Sequence, residues 1–407
     1  MKINNGVLGT KKIYNMRIAF VVIGNSRRSN YLNGFNLRYG NGGGSGTDTS
    51  TILVAEYLAK QGHDVVFVTD RLEPHLEKQY KEKGIKFIPG SEVNGVKYTY
   101  SDFSGINNLE FDVLISMLWF DDYNNLPIKV TKSLIYWSHM QWIYGVDKIQ
   151  EYVSSNNLNF GIVHISNWEK QMNKNVIDGM LRINGDIKTI LIPNPVMDDI
   201  ITEVNQEPII RNPHKFIFHA SWARGGEVAL NSVRSLYFKD KEFHAFDYLM
   251  TISDNKDVFF HNHGGTDKKT LFKHIAESEY FIYPLYTPYE DVHKDTFSCV
   301  VAEAIALGCI VVTYPLGALP EIFNGYCSWI ELPDGVNYNK IQSEPLTKDP
   351  NGDFKNISKI ADKIYYLDNN PEIKESIRNN GKKFIIENFN INRVGLMWVD
   401  FINKLTN

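Results

Sequence analysis

Cysteine is scarce, with three residues in 407: Cys299, Cys309 and Cys327. Their spacing matches no cysteine metal site and two of them lie in apolar stretches, so a disulfide scaffold is excluded and a reduced, cytoplasmic setting is expected. Long apolar runs are missing as well. No stretch reaches the ~18 consecutive apolar residues that suggest a membrane-spanning helix, so no transmembrane anchor is expected, while peripheral membrane contact stays open. Residues 1–15 are polar, lack the apolar centre of a secretory signal, and read as a flexible extension. Neither sign of charge dominates: 43 Lys and Arg stand against 47 Asp and Glu, a net charge of −4. That leaves no basic footprint for nucleic acid. The acidic pair Asp121-Asp122 follows an aromatic run and reads as loop, so no metal is assigned.

What is present is the composition of a folded protein, 43% hydrophobic and 22% charged, on a chain long enough for two domains. Apolar runs begin at Met16, and 17–23 reads as a buried strand. A glycine-rich loop, Gly40-Asn41-Gly42-Gly43-Gly44-Ser45-Gly46, precedes a helix over 47–61 and a strand over 64–69. This β–loop–α–β unit opens a doubly wound sheet. The loop lacks the lysine of a Walker A sequence and is not entered directly from the strand, as a dinucleotide fingerprint would be. Bare backbone at Gly43 and Gly44 would let a sugar or phosphate approach closely; a surface loop is the plainer alternative. Strands follow over 111–116, 133–137 and 160–165. His139 stands just past the second of these, at a carboxyl end where open α/β sheets bind ligands. The other reading packs it between Trp137 and Trp142.

Ile192-Pro193-Asn194-Pro195-Val196 breaks the pattern, and the polar run to about 213 reads as linker. The expected division is a first domain over 16–205, a second over 206–388 and a terminal helix over 389–407. The second domain opens with a strand over 215–220 and the turn Trp222-Ala223-Arg224-Gly225-Gly226. An arginine at the mouth of a helix suits a diphosphate, by charge and by its forked geometry. Strands over 246–252 and 258–261 lead to His263-Gly264-Gly265 and a helix over 268–278. The last helices are expected over 357–367, 372–387 and 393–404, with Trp398 and Phe401 as anchors.

The most informative stretch lies between two apolar strands, Tyr280-Phe281-Ile282-Tyr283 and Cys309-Ile310-Val311-Val312-Thr313. It reads Asp295-Thr296-Phe297-Ser298-Cys299-Val300-Val301-Ala302-Glu303, and a helix should begin near Thr296 or Ser298, both good N-caps. Eight residues of helix would separate the two carboxylates by about 12 Å, the span from the hexose of a nucleotide sugar across its diphosphate to the ribose. The helix N-terminus would lie where the diphosphate passes. The plain alternative makes Asp295 a helix-start acid and Glu303 a solvated residue. Ala302, Ala304 and Ile305 crowd Glu303, however, and a carboxylate there needs partners.

This stretch resembles the E-x7-E signature of the retaining glycosyltransferases of the GT-B fold, the family-4 or group 1 type, with Asp in place of the first Glu. Gly317-Ala318-Leu319-Pro320-Glu321-Ile322 and the run GGGSGTDTSTILVAEYLAKQGHDVVFVT are similar to other parts of that family. The resemblance implies an α/β protein with two facing Rossmann-like domains and a C-terminal helix crossing back to the first. It implies transfer of a hexosyl-type sugar from a nucleotide-diphosphate sugar to a glycan, protein or lipid acceptor, with retention and without metal or other cofactor. By the same resemblance, Glu303 would hold the ribose and Asp295 the hexose. Arg224 with the helix start at Thr296, Phe297 and Ser298 would hold the diphosphate. Gly264 would border the base, and His139 would face the donor sugar. The family usually places two basic groups at the diphosphate, and Arg224 has no clear partner, His219 or a lysine elsewhere being the alternatives. Two other readings stand beside this one: a nucleotide-sugar epimerase of similar fold, and a catalytically silent GT-B module that binds a sugar or a partner.

Overall fold

Runs such as Ile18-Ala19-Phe20-Val21-Val22 carry no polar side chain on either face, so they are stable only as strands covered on both sides, the setting of a parallel sheet. The computed structural model describes residues 15–22, 33–40, 45–69, 88–117, 125–143, 145–179, 186–247, 257–285, 294–332 and 352–407. Gly43, Gly44 and the Asp121-Asp122 pair lie outside them, as do most of the extension over 1–15, the loop over 286–293 and the polar stretch over 333–351. The chain divides into two compact units. One takes Gly44–Pro195 and Ile391–Asn407 with the start of the chain, the other Val196–Asn390 with Arg38–Gly43.

In the first unit, β1 (Arg17–Val22), β2 (Asp64–Thr69), β3 (Glu92–Val93), β4 (Val96–Tyr100), β5 (Glu110–Met117), β6 (Lys129–Ser138), β7 (Asn159–His164) and β8 (Lys188–Leu191) form one sheet. Its order is β3-β4-β2-β1-β5-β6-β7-β8. Its pairs are parallel except β3 with β4. Those two are joined by Asn94-Gly95, with φ of 52° and 80°, the paired positive values of a two-residue hairpin turn. The helix Gly46–Lys60 begins with a capping box: Ser45 Oγ accepts from the Asp48 N–H, and the Asp48 carboxylate accepts from the Ser45 N–H.

In the second unit, β9 (Asn212–His219), β10 (Glu242–Phe246), β11 (Phe260–Asn262), β12 (Ser278–Tyr283), β13 (Ile310–Thr313) and β14 (Ser328–Trp329) form a parallel sheet in the order β11-β10-β9-β12-β13-β14. Two strands are displaced from their expected places. β10 ends at Phe246, where the sequence reading began it, because Glu242 and His244 read as polar loop although His244 is buried. Val258 is exposed and the next strand starts only at Phe260. The stretch read as linker contains the helix Asp198–Gln206, whose Ile200, Ile201 and Val204 form one buried stripe.

The last helix, Ile391–Thr406, returns to the first unit as expected. Trp398 is fully buried with its ring 4.5 Å from that of Trp137 at the end of β6. Phe401 packs where Gly161 of β7 leaves no room for a Cβ. Among the described residues no helix is long and apolar enough to cross a membrane. Strand order reverses beside β1 in the first sheet and beside β9 in the second. Such reversals open a crevice at the carboxyl ends of the strands, the place where open α/β sheets take ligands.

Candidate active site

At the reversal in the second sheet, β9 and β12 lie side by side. β9 runs into a single turn, Trp222–Arg224, and Gly225 (φ 100°) swings the chain directly into the helix Gly226–Ser235. A side chain at Gly226 would overlap the Trp222 ring, so the tight reversal depends on these two glycines. The turn therefore holds Arg224 at the carboxyl end of β9. The Leu285 N–H donates to the Arg224 carbonyl at 3.1 Å, tying the exit of β12 to the same turn.

Arg224 pairs with Asp295 through Nη1 and Oδ1, and the same nitrogen donates to the Tyr283 hydroxyl at 3.1 Å. Tyr283, the last residue of β12, donates to Asp295 Oδ2 at 2.9 Å. The Asp295 side chain is 9% exposed and that of Arg224 34%. Burial, helped by the Asp295 charge, pushes the Tyr283 phenol far above its ordinary range, so it stays a donor. Beneath Asp295 runs Gly317-Ala318. The Ala318 N–H donates to the Asp295 carbonyl at 2.8 Å, and a Cβ at Gly317 (φ 61°) would overlap that carbonyl. Packing against the Asp295 backbone accounts for the Gly317-Ala318 pair in physical terms.

The helix after Asp295 starts at the later of the two expected N-cap positions. It spans Cys299–Ala306, with Ser298 in the N-cap position but left-handed (φ 67°, ψ 80°) and making no side-chain cap. Asp295 thus stands outside the helix, and the spacing of about 12 Å expected from continuous helix does not apply. Left-handed backbone at a non-glycine residue costs about 1–2 kcal/mol, and such strain collects at functional positions. The Ser298 hydroxyl is buried with no hydrogen-bond partner among the described residues. Thr296 lies in the bend before it. The Phe297 ring is buried edge-on against Phe323 and Phe389, so a ligand contact from Phe297 would use its backbone.

Glu303 lies within the Cys299–Ala306 helix and has no exposed surface. Lys268 Nζ meets both of its carboxylate oxygens, at 3.1 and 2.9 Å. Burial raises the Glu303 pKa, and Lys268 opposes the rise. Lys268 opens the helix Lys268–Glu277, which Asp267 caps by accepting from the Thr270 N–H at 2.8 Å. Sequence reasoning missed Lys268, though two signals existed: Glu303 needed a partner, and Lys268-Lys269 at a helix start opposes the helix dipole. His219, the other suggested partner for Arg224, is buried at the end of β9 with Nδ1 3.1 Å from the Phe246 carbonyl. Burial, with the Lys268 charge adding to it, lowers its pKa to about 3, so it carries no charge near neutrality.

In the first unit, His139 follows β6 and is buried, with Nδ1 3.5 Å from Thr47 Oγ1 in the first turn of the helix Gly46–Lys60. Burial lowers its pKa to about 3. Its ring centroid lies 4.8 Å from that of Trp137, whereas Trp142 is exposed, so the expected packing between two tryptophans is one-sided. Gly264 forms the turn after β11 with φ of 62°, its N–H donating to Asn262 Oδ1 at 3.1 Å. The described residues thus bring Arg224, Tyr283 and Asp295 into one cluster and Glu303 with Lys268 into another. His139 meets the start of the helix that follows the glycine loop.

No protein-family model and no curated protein matches this sequence. Solved structures do match the fold. Sucrose-phosphate synthase from Thermosynechococcus elongatus aligns with a TM-score of 0.59 at 11% identity, over 96% of this chain and 99% of that one. A glycosyltransferase from Rickettsia africae aligns with a TM-score of 0.59 at 12% identity, over 96% and 98%. HepE of Anabaena, solved with UDP-glucose, aligns with a TM-score of 0.56 at 10% identity, over 96% and 100%. At this identity the likeness defines the fold alone: the chain has the GT-B fold, an α/β protein with two parallel-sheet, Rossmann-like bodies.

Proposed function

We propose that this chain is a glycosyltransferase that moves a hexosyl-type sugar from a nucleotide-diphosphate sugar to a glycan, protein or lipid acceptor, with retention and without a catalytic metal. One observation carries the reading: a guanidinium fixed by Asp295 and Tyr283 at the switch point of the second sheet, followed at once by the strained Ser298 and a helix N-terminus. Cleavage of the sugar–phosphate bond builds negative charge on the departing diphosphate. An arginine that need not reorganise, together with the positive end of the helix dipole, stabilises that charge more in the transition state than in the ground state. A divalent metal has no necessary part in this chemistry. The donor class draws further support from the GT-B neighbour HepE, solved with UDP-glucose.

In this reading Asp295 orients Arg224 and accepts from sugar hydroxyls through its remaining lone pairs, a carboxylate having about four acceptor sites. Because its charge is engaged by Arg224, Asp295 is a poor nucleophile, which favours front-face displacement with the leaving phosphate taking the acceptor proton. Glu303 acts through Lys268, holding the helix that presents the diphosphate site. His139 is neutral at pH 7 and serves as a hydrogen-bonding group toward sugar or acceptor rather than as a base. The test is a thermal-shift panel of UDP-, GDP- and ADP-sugars in excess EDTA. One nucleotide class should raise the midpoint of the wild type, since a ligand bound only to the native state stabilises it by mass action. Arg224→Ala should lose that shift. No shift with any donor, or a shift that needs added magnesium or manganese, would refute the reading.

A further inference from the structure

Elsewhere in the second unit, three histidines meet. His244 lies in β10, His263 directly follows β11, and His274 lies in the helix Lys268–Glu277. One ring nitrogen of each falls within 4.8 Å of the other two, and His244 Nδ1 is 2.8 Å from His263 Nε2. The other ring nitrogen of His244, Nε2, faces the Glu242 carboxylate at 3.2 Å. That contact sets the tautomer: Nε2 carries the proton and donates to Glu242, leaving the Nδ1 lone pair directed into the cluster. Metal-bound histidines are oriented by carboxylates in the same manner. Phe246 stacks on the His263 ring, with centroids 4.4 Å apart and planes 6° from parallel.

We propose that His244, His263 and His274 form a binding site for an imidazole-preferring transition metal of the Zn²⁺, Co²⁺ or Ni²⁺ kind, with the remaining coordination left to water. Metal–nitrogen bonds of ~2.0–2.1 Å place tetrahedral ligands about 3.4 Å apart. The widest separation of 4.8 Å must therefore close by about 1.4 Å. His263 can supply that movement, being exposed and on the turn before Gly264, while His244 is anchored in a strand and His274 in a helix. The cation facing the cluster is Lys215, with Nζ 3.3 Å from His274 Nδ1, and Glu277 pairs with it at 2.7 Å. Bound metal would pin β10, the turn after β11 and the helix bearing Lys268 to one another.

The experiment uses the full chain without a polyhistidine tag, stripped with EDTA, dialysed and titrated with CoCl2 near pH 7.5. The site predicts one Co²⁺ per chain, visible d–d absorption of a nitrogen-ligated ion, displacement of that absorption by ZnCl2, and a higher thermal midpoint. His263→Ala and His263→Gln, at an exposed position, and His274→Ala should each weaken binding at least 100-fold. His261→Ala, which removes a ring tilted against His244 but not a ligand, should bind as wild type. Absence of Co²⁺ binding by the wild type would overturn the proposal, leaving a stack of neutral imidazoles. So would unchanged affinity in both His263 variants. Metal binding is read here without any sugar donor, so its failure and a failure of glycosyl transfer are separate outcomes.

Discussion

Position 295 carries the shorter of the two acidic residues, and the structure shows what that length does. One methylene fewer withdraws the carboxylate by roughly 1.5 Å, which leaves Asp295 engaged by Arg224 and Tyr283 with its backbone seated on Gly317-Ala318. Asp295→Asn removes the charge that fixes Arg224, a charged hydrogen bond being worth about 1.5–3 kcal/mol, and turnover should fall at least tenfold on every donor. Asp295→Glu should push Arg224 out of place and lower turnover, or change the preference among donor sugars. If both variants match wild type across a donor panel, Asp295 merely precedes a helix. Arg224 and Asp295 were legible in the sequence because a charged residue at a strand-to-helix turn has few structural reasons to be there. Tyr283 was not: a tyrosine ending an apolar run reads as core, and only the pairing of β12 with β9 brings its hydroxyl to both partners. Ser298 was legible as an N-cap position, but its left-handed backbone was not.

Two helices, Lys268–Glu277 and Cys299–Ala306, are joined by the buried Lys268–Glu303 pair. Neither side chain has appreciable exposure (6% and 0%), so removing one leaves the other charge buried and uncompensated. Glu303→Ala should therefore destabilise the fold by about 3–5 kcal/mol, read as a lowered urea midpoint. The double variant Lys268→Met with Glu303→Leu should recover most of that loss, because an apolar pair carries no desolvation penalty. A single variant as stable as wild type would show that Lys268 has another partner and that the helices are not coupled here. Donor affinity of the double variant then reports whether Glu303 serves the donor beyond this structural role. At this scale, strands of uninterrupted apolar residues were readable. β10 was not, since its buried His244 and the charged residues at its entrance imitate loop, and the histidine cluster was invisible because its members come from three separate elements.

Across the whole molecule, the alternation of strands and helices with a break near Ile192-Pro193 made the two-body α/β fold readable, and the terminal helix follows from its apolar stripe through Trp398 and Phe401. The molecule also stores an acid sensitivity that composition does not disclose. Burial lowers His139 and His219 from 6.5 to about 3, so the unfolded chain takes up protons that the folded chain refuses. Their contribution to stability is intact above pH 6.5 and is lost progressively as pH falls toward about 3, at about 1.4 kcal/mol per pH unit for each histidine. The urea midpoint should therefore drop between pH 7 and pH 5; an unchanged midpoint would mean that both rings protonate in the native state. The central claim, that this GT-B chain transfers a sugar with Arg224 stabilising a departing diphosphate, is met most directly by watching slow transfer to water. Wild type and Arg224→Ala are incubated with the donor chosen by thermal shift, in EDTA, and the nascent sugar is followed by proton NMR. Wild type should release the donor's own anomer, with a loss of about 10²-fold or more in Arg224→Ala, the scale for removing one preorganised charge-stabilising donor. Release of the opposite anomer first, or equal rates from the two proteins, would contradict that claim.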